Sequence, residues 1–487
     1  MPLDAILSRA RSAPDHLALV HNGEPWSYSA FARAIADARA RLAGAGFPPG
    51  SLVVVAIEDL VDAWVAGFAL RSLGLATIAI ERTTDVAALA LGSAGGIVTR
   101  EGATHEAAES LARQAGRATI RLPAARPAAF ARGGAPGFPL PAAGMAGHVM
   151  LTSGTTGSYK KVLRDPRIDR EQIGSLASLF AFTPSSVVFV GNFPSWTAGG
   201  YRWTRAAWSV GATVVCENSP EPWRPFGRLG MTHAFATPAT LAVLLEAPPG
   251  AIRRDDSLRL VVTAGALTKA LADGARARIT RELYSAYAST EASMVTMTRI
   301  ASDEDLLWHL PVSPRAAQVV DESGRELPVG DEGLVRVRPS PGIEGYLDDE
   351  ATTRECFRDG WFLPGDLGRL RADGRLCLQG RATEVINLLG LKVATAPLER
   401  SLQDLLGVSG VCIFSRQDDE AAEEVHVAIE SATPVDRVAL ADFARSGLGA
   451  FPRVHFHVAR EFPRSAMGKV RRLELRRRLL APPEPRS

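Results

Sequence analysis

The stretch LTSGTTGSYKKV, Leu151 to Val162, decides the fold of this chain, because it has the composition of a phosphate-binding loop at the end of a strand. The preceding HVML is apolar enough for a buried strand. Gly154 and Gly157 allow backbone conformations in which consecutive N–H groups face an anion. Short donors and positive charge complete the loop: Thr152, Ser153, Thr155, Thr156, Ser158, Lys160 and Lys161. An ordinary polar turn is the alternative.

The loop is not a P-loop of the Walker type. That motif requires a glycine five residues after its first glycine, and Tyr159 stands five residues after Gly154. A different nucleotide-binding fold is therefore indicated.

Bulk properties favour small-molecule chemistry. The 487 residues exceed what one core usually supports, so two or more domains are expected. The net charge of +2 gives no electrostatic case for nucleic acid or membrane as a partner. The N-terminus lacks the apolar core of a signal peptide, and no apolar run is long enough for a membrane span. We therefore expect a cytoplasmic protein.

The pattern along the chain predicts an α/β fold. Helical periods alternate with short apolar runs over residues 27–80 and again over 187–290, which predicts two helix-flanked sheets. Thr152, Ala264 and Tyr287 fall at strand ends, where ligands bind in such sheets. Past residue 310, short strands and turn signals predict a small β subdomain. A compact α+β unit follows, so we expect a large domain over 1–382 and a small one over 383–487.

With these features the chain resembles the adenylate-forming enzymes, which include acyl-CoA and aryl-CoA synthetases, firefly luciferases and the adenylation domains of peptide synthetases. The phosphate loop is similar to the signature of that family, and Lys160 matches its lysine. Further motifs recur in the family's order: YASTE at 287–291, GWFLPGD ending at Asp366, GRATEVINLLGLKV from Gly380, and PRSAMGKVRR with Lys469. The resemblance implies a small C-terminal domain that moves against the large one.

The resemblance assigns a nucleotide site. It implies that Glu291 holds Mg²⁺, that Thr290 reaches the α-phosphate of ATP and that Tyr287 lies by the adenine. It also implies that Asp366 accepts both ribose hydroxyls and that Arg381 contacts ribose or phosphate. From the residues alone, Glu291 could instead begin a helix, Asp366 could lie in a surface turn and Arg381 could form a salt bridge at the domain junction.

Lys469 is implied to enter the active site from the small domain. A carboxylate must attack the α-phosphorus of an anionic triphosphate, and a cation between the two reduces their repulsion. As a lone lysine in a basic tail it would instead be solvated. For the second step, the resemblance implies that the small domain turns and that Gly390 lines a tunnel for a thiol. Thr383 stands where relatives have a hinge Asp or Lys.

The acid is less clearly encoded than the nucleotide. The segment FPSW over 193–196 lacks the aspartate that holds an α-amino group in relatives, which argues against an amino acid. Pocket residues are expected by analogy with the family: Trp196, Thr197, Gly200, Ala264, Gly265 and Ala286. Trp196 would shorten the pocket toward an aryl or short acyl group, and packing in the core is its alternative role. Arg202 and Arg205 could meet a second carboxylate, although we expect solvent-facing positions on a helix.

Three functions follow from this pattern. The leading hypothesis is an AMP-forming acid–CoA ligase that activates a carboxylic acid with ATP and Mg²⁺ and then transfers it to coenzyme A. The second is an adenylation enzyme that loads the phosphopantetheine of an acyl carrier protein. The third is a noncatalytic nucleotide-binding protein, slightly favoured by four departures from the family pattern: Tyr159, Lys161, Ala288 and Thr383. The presence of Lys469 argues against the third.

Overall fold

The fold is built on three large sheets and a smaller C-terminal sheet. Two of the large sheets form where apolar runs alternate with helical periods, and the third forms from short strands separated by turns. The computed structural model describes residues 2–80, 89, 94–102, 110, 116–127, 138, 145–153, 159–191, 193–313, 317–388, 391–417, 423–449, 453–465 and 468–480.

The strands in chain order are β1 (Leu17–His21), β2 (Glu24–Ser27), β3 (Leu52–Ala56), β4 (Ala76–Ala79), β5 (Gly96–Arg100), β6 (Ala118–Leu122), β7 (His148–Ser153), β8 (Tyr159–Arg164), β9 (Val187–Phe189), β10 (Thr213–Cys216), β11 (His233–Ala236), β12 (Arg259–Thr263), β13 (Leu283–Ser289), β14 (Ser293–Arg299), β15 (Trp308–His309), β16 (Ala317–Val320), β17 (Glu332–Val337), β18 (Phe357–Arg358), β19 (Trp361–Phe362), β20 (Asp366–Leu370), β21 (Leu376–Arg381), β22 (Val385–Leu388), β23 (Leu391–Ala394), β24 (Gly410–Gln417), β25 (Glu423–Glu430) and β26 (Val454–Ala459).

The α-helices are α1 (Pro2–Ser12), α2 (Tyr28–Ala43), α3 (Leu60–Ser72), α4 (Pro166–Leu179), α5 (Thr204–Ser209), α6 (Pro238–Leu245), α7 (Lys269–Arg278), α8 (Glu350–Cys356), α9 (Thr395–Leu406), α10 (Arg437–Gly447) and α11 (Arg472–Leu480). A π-helical turn, Gly199–Trp203, leads directly into α5. Side chains of Ser27, Asp59, Asp165, Thr237 and Thr268 cap the N-termini of α2, α3, α4, α6 and α7.

Two sheets of mixed but mainly parallel strands form the large unit. The first has the order β6-β5-β3-β4-β7-β8, with only β8 antiparallel to its neighbour. The second has the order β14-β13-β12-β11-β9-β10-β1-β2, with antiparallel strands at both edges. Parallel strands are apolar on both faces because helices cover them, which explains runs such as VVV in β3. The predicted α/β fold class is confirmed.

A third, antiparallel sheet comprises β15 to β21, which is the expected β subdomain. The hairpin β22–β23 follows, and then the sheet β24-β25-β26, which α9 and α10 cover on one face and α11 on the other. β21 ends at Arg381 and β22 begins at Val385. The boundary between residues 382 and 383 and the mobility of the C-terminal unit stay predictions.

Helix α3 lies inside the molecule, since all thirteen of its residues are buried. Its Trp64 contacts Trp208 of α5 edge to face, with ring centroids 5.1 Å apart. The Trp64 indole donates to the carbonyl of Gly200 at 3.0 Å. One hydrophobic cluster includes residues of both large sheets, so the two sheets share a core.

A buried polar group lies between the same helices and sheets. Arg71, Arg164, Arg202 and Arg205 surround Asp169 and Tyr201, and we call these six residues the interior arginine cluster; each is at most 4% exposed. The Tyr201 hydroxyl donates to Asp169 at 2.9 Å and accepts from Arg71 at 2.6 Å. The expectation that Arg202 and Arg205 face solvent is therefore wrong. Burial lowers the pKa of Arg202 to about 9 and that of Arg205 to about 10.

Among the described residues, no helix combines the length and the apolar character that crossing a membrane requires.

Candidate functional site

The phosphate-loop region begins where β7 and β8 pair. Thr152 lies opposite Lys160 in the register of the two strands. Gly154, Thr155, Thr156 and Gly157 lie outside the described residues, and for Ser153 only the backbone is described. Lys161 replaces a family glycine, and its ammonium forms a 2.7 Å ion pair with Asp348. This departure from the family pattern therefore joins the β8 strand to the segment that precedes α8.

Asp366, Tyr287 and Arg381 meet at the start of β20. The Tyr287 hydroxyl donates to the Asp366 carboxylate, and Arg381 Nε lies 3.2 Å from the other carboxylate oxygen. Asp366 is buried, which excludes the surface-turn alternative and raises the pKa of its carboxyl group. Burial and the adjacent carboxylate raise the pKa of Tyr287, so its hydroxyl stays protonated. Arg381 forms the junction salt bridge that the sequence allowed, and its partner is the predicted ribose ligand.

Glu291 lies in the turn between β13 and β14, so its alternative role at a helix start is wrong. Its side chain is buried, and one carboxylate oxygen accepts a 2.7 Å hydrogen bond from Tyr346. Lys160 lies on the face of the same tyrosine ring, with Nζ 4.9 Å from the ring centroid. The predicted magnesium ligand and the phosphate-loop lysine therefore share one neighbour. Thr290 is adjacent to Glu291 in the turn and is partly exposed.

Lys469 of the C-terminal unit lies near enough to Arg381, Asp366 and Glu291 to interact with their charges, and we call the space between these residues the cleft. Lys469 is an exposed residue, although neighbouring protein partly desolvates its ammonium group. This desolvation, together with the charge of Arg381, lowers the pKa of Lys469, while Asp366, Glu384 and Glu291 oppose the shift. Lys469 is therefore exposed, but it lies near charged groups of the large unit rather than apart from them. We call Tyr287, Glu291, Asp366, Arg381 and Lys469 the cleft group.

The loop that carries Lys469 is held against the large unit. A Cβ added to Gly468 would lie 2.7 Å from Cβ of Ala239 in α6, so only glycine fits this approach. Within the loop, Ser465 N–H donates to the carbonyl of Lys469 at 2.8 Å. Elsewhere in the interface, Arg400 of α9 donates to the carbonyl of Leu378 in β21 at 3.4 Å. The C-terminal unit therefore contacts the large unit at α6 and at β21.

The predicted acid pocket adjoins the phosphate-loop strands through Trp196. Trp196 is buried and contacts Tyr159 edge to face, with ring centroids 6.0 Å apart. Thr197 accepts the backbone N–H of Gly200 at 3.2 Å. A Cβ on Gly200 would lie 2.2 Å from the carbonyl oxygen of Pro194, so this glycine is required by packing alone. Trp196 also belongs to the large core, so both of its proposed roles stay open.

The other predicted pocket residues lie at the ends of two adjacent strands. Thr263 of β12 pairs with Ala286 of β13, which places Ala264 and Gly265 beside Tyr287. Ala264 has φ of 67°, a left-handed conformation that costs a non-glycine residue about 1 kcal/mol. Such strain is frequent at functional sites.

Gly390 and Thr383 are the two residues that the sequence predicts for the thiol step and for the movement of the C-terminal unit. Gly390 lies outside the described residues. Thr383 is exposed in the turn between β21 and β22. Sequence reasoning missed Tyr346, which lies in none of the motifs, and Glu384, which lies within GRATEVINLLGLKV but was given no role.

A two-sheet α/β unit closed by a smaller α+β unit, which contributes a lysine to the cleft, defines the architecture of adenylate-forming enzymes. The chain belongs to the AMP-binding enzyme family, whose model matches residues 7–347. The prediction of an AMP-forming, ATP-dependent ligase is confirmed at the level of this family.

Relatives align along nearly the whole chain. A salicyl-AMP ligase / salicyl-S-ArCP synthetase of Mycobacterium tuberculosis is 28% identical, over 98% of this chain and 90% of that protein. The 4-coumarate–CoA ligase-like 9 of Oryza sativa subsp. japonica is 27% identical, over 97% and 91% respectively.

Solved structures show the same fold at lower identity. The O-succinylbenzoate coenzyme A synthetase MenE of Bacillus subtilis, in complex with AMP, has a TM-score of 0.80 and 20% identity, with 97% of each chain covered. The amide bond synthetase McbA of Marinactinospora thermotolerans has a TM-score of 0.79 and 22% identity, over 98% of this chain and all of that chain.

Proposed function

We propose that this enzyme joins a carboxylic acid to a thiol in two steps. The acid attacks the α-phosphorus of ATP, which gives acyl-AMP and pyrophosphate, and a thiol then displaces AMP to form a thioester. One observation carries the proposal: Lys469, far along the chain, faces the same cleft as Asp366 and Glu291. Plain nucleotide binding would not require that lysine, which argues against a noncatalytic role.

The cleft group fits the first step chemically. Asp366 offers two carboxylate oxygens to the ribose hydroxyls, with Tyr287 and Arg381 already bonded to it. Glu291 would hold Mg²⁺, which needs only one or two protein carboxylates when triphosphate oxygens complete its shell. Thr152, Thr290 and the loop over 153–157 would donate to the phosphates. When bound, Mg²⁺ would neutralise part of the negative charge of the triphosphate.

Lys469 would act on the transition state more than on the bound substrates. As the carboxylate approaches phosphorus, negative charge concentrates between the two reactants, and a fixed cation lowers the energy of that arrangement. Electrostatic help of this type amounts to roughly 3 to 4 kcal/mol.

The acid is proposed to be an aryl or a short to medium acyl acid. The aromatic pair Trp196 and Tyr159 would limit the depth of the pocket beside the phosphate loop. Several relatives support this class, since their names include salicylate, 4-coumarate and O-succinylbenzoate.

Coenzyme A is the proposed acceptor. In the second step the C-terminal unit would turn about the junction near Thr383, withdraw Lys469 and bring the segment around Gly390 to the cleft. A carrier-protein phosphopantetheine is the second candidate. It is favoured by the relative named as a salicyl-S-ArCP synthetase and by the basic helix α11, which could contact an acidic carrier.

The first step is tested by pyrophosphate exchange. The protein is incubated with ATP, Mg²⁺, labelled pyrophosphate and one acid at a time from aryl, short-chain and long-chain sets. Exchange with aryl or short acids is expected, and no exchange with any acid would contradict the proposal. With the best acid, release of AMP on addition of free coenzyme A supports the CoA ligase. Formation of acyl-AMP that reacts only with a phosphopantetheinylated carrier supports the second candidate.

A further inference from the structure

Tyr346 is a buried residue that contacts Glu291 through its hydroxyl and Lys160 through its ring. Its backbone N–H donates to the Thr353 hydroxyl at 2.8 Å, and the next residue, Leu347, donates to the carbonyl of Lys161 at 2.8 Å. The segment is thus fixed between α8 and β8. The side chain is 7% exposed, so its position is set by packing.

The hydroxyl of Tyr346 orients the Glu291 carboxylate. It donates to one carboxylate oxygen at 2.7 Å, and no other donor to this side chain is recorded among the described residues. A tyrosine hydroxyl is a hydrogen-bond donor at neutral pH, so it can hold one carboxylate oxygen in place. A carboxylate with one oxygen bound in this way presents its second oxygen in a defined direction.

The ring of Tyr346 orients Lys160. The ammonium lies 4.9 Å from the ring centroid, within the range of a cation–π interaction. The same ammonium lies 3.7 Å from the Cys356 sulfur. Lys160 thus has its charged end over the ring rather than free in solvent.

We propose that Tyr346 is a positioning residue with two separable functions: its hydroxyl sets Glu291 for Mg²⁺, and its ring sets Lys160 for the triphosphate of ATP. The inference rests on the proposed function of the site. Mg²⁺ requires near-octahedral geometry, so the direction of a carboxylate ligand matters more than for a larger ion. Residues that orient metal ligands typically contribute about 10- to 100-fold to metal affinity.

Packing is the competing explanation for this tyrosine. Tyr346 contacts Phe357 edge to face, with ring centroids 5.4 Å apart, and belongs to the hydrophobic cluster of the β subdomain. Phenylalanine at position 346 would preserve this packing and the ring face while removing only the hydroxyl. If Tyr346 serves packing alone, Tyr346→Phe should leave Mg²⁺ binding unchanged. If its hydroxyl positions Glu291, the same variant should weaken Mg²⁺ binding.

The test compares Tyr346→Phe and Tyr346→Leu with the wild type. ATP affinity is measured by calorimetry over a series of Mg²⁺ concentrations, without any acid. For Tyr346→Phe we expect the Mg²⁺ concentration at half-saturation to rise about 10-fold or more, with ATP affinity restored at high Mg²⁺. For Tyr346→Leu we expect the same rise and, in addition, weaker ATP binding that saturating Mg²⁺ does not restore.

Tyr28→Phe is the matched control. Tyr28 is fully buried, and its hydroxyl donates to the carbonyl of Ala212 at 2.7 Å in another part of the molecule. This variant loses a buried tyrosine hydroxyl and should keep the wild-type Mg²⁺ dependence. An unchanged Mg²⁺ half-saturation in Tyr346→Phe would overturn the inference, as would an equal shift in the control. Because binding is measured without acid, such a result is distinct from failure of the acid–thiol ligase proposal, which appears as absent pyrophosphate exchange.

Discussion

Two groups of charged residues in this molecule differ in how their charges are balanced. In the interior arginine cluster, four guanidinium groups share one carboxylate, Asp169, and otherwise contact carbonyls, Gln172 and aromatic faces. In the cleft group, the two carboxylates Glu291 and Asp366 are matched by two cations, Arg381 and the exposed Lys469. The first group lies within the core of one unit, whereas the second joins two units.

This difference indicates what each group does. A buried guanidinium without enough counter-charge is tolerated only where surrounding groups hold it in place, so the interior cluster belongs to folding. The cleft group keeps charges in an open site that a ligand could compensate, which is typical of binding and catalysis. Substitutions in the two groups should therefore act on different quantities, stability in one and activity in the other.

The largest expected effect is on stability, from Asp169→Asn. The substitution removes the one carboxylate of the interior cluster that bonds both Tyr201 and Arg164 and leaves buried positive charges without it. Breaking a buried ion pair in this way costs about 3 to 5 kcal/mol. Denaturant unfolding should show this loss, while pyrophosphate exchange per folded molecule stays near the wild-type value.

Asp165→Asn is the control for that experiment. Asp165 is exposed and caps α4 four residues earlier, and asparagine caps helices about as well as aspartate. Its unfolding free energy should stay close to that of the wild type. A stable Asp169→Asn protein with reduced exchange would reverse the assignment of the interior cluster.

Lys469→Ala should have the opposite profile. Loss of the cation from the transition state should reduce pyrophosphate exchange on the order of 100- to 1,000-fold. The melting temperature should not fall, because the folded protein disfavours the charged form of this lysine and therefore gains no stability from it. Arg471→Ala, two residues further along, removes a partly exposed partner of Glu474 and should leave pyrophosphate exchange intact. Full exchange in Lys469→Ala would contradict the proposed mechanism.

Asp366→Asn should weaken nucleotide binding. Asparagine keeps the size of the side chain but loses the charge that binds Arg381 and would accept the ribose hydroxyls. Hydrogen bonds to charged groups contribute about 1.5 to 3 kcal/mol, which corresponds to roughly a 10- to 100-fold rise in the dissociation constant for ATP. Calorimetry measures this dissociation constant. Asp373→Asn, in an exposed hairpin turn, is the control and should bind ATP as the wild type does. Unchanged ATP affinity would remove Asp366 from the site.

Sequence motifs predicted the cleft group because its members follow strands or glycine turns in a recognisable order. Glu291 ends the motif YASTE and Asp366 ends the motif GWFLPGD, so the local sequence was sufficient to predict both residues. The interior cluster was not predicted. Arg164 ends a strand whose pattern YKKVLR allows an exposed position, and its partners in α4 and the π-helical turn are determined only by packing of the two sheets. Tyr346 was missed for the same reason, since 55 residues separate it from Glu291.

The smallest expected effect concerns pH and again separates the two groups. Burial lowers the pKa of Lys469, so as pH rises its positive charge is lost earlier than for an ordinary lysine. If the charged form is the active one, kcat/KM for acid activation should fall on the alkaline side at a pH below the usual lysine range. In Lys469→Arg the guanidinium stays charged, and the fall should move to higher pH or disappear, even if the maximal rate is reduced. If kcat/KM falls at the same pH in the wild type and in Lys469→Arg, the fall is due to the titration of another group. The interior arginines should not contribute to this profile, because a change there would alter stability rather than the charge that faces the substrates.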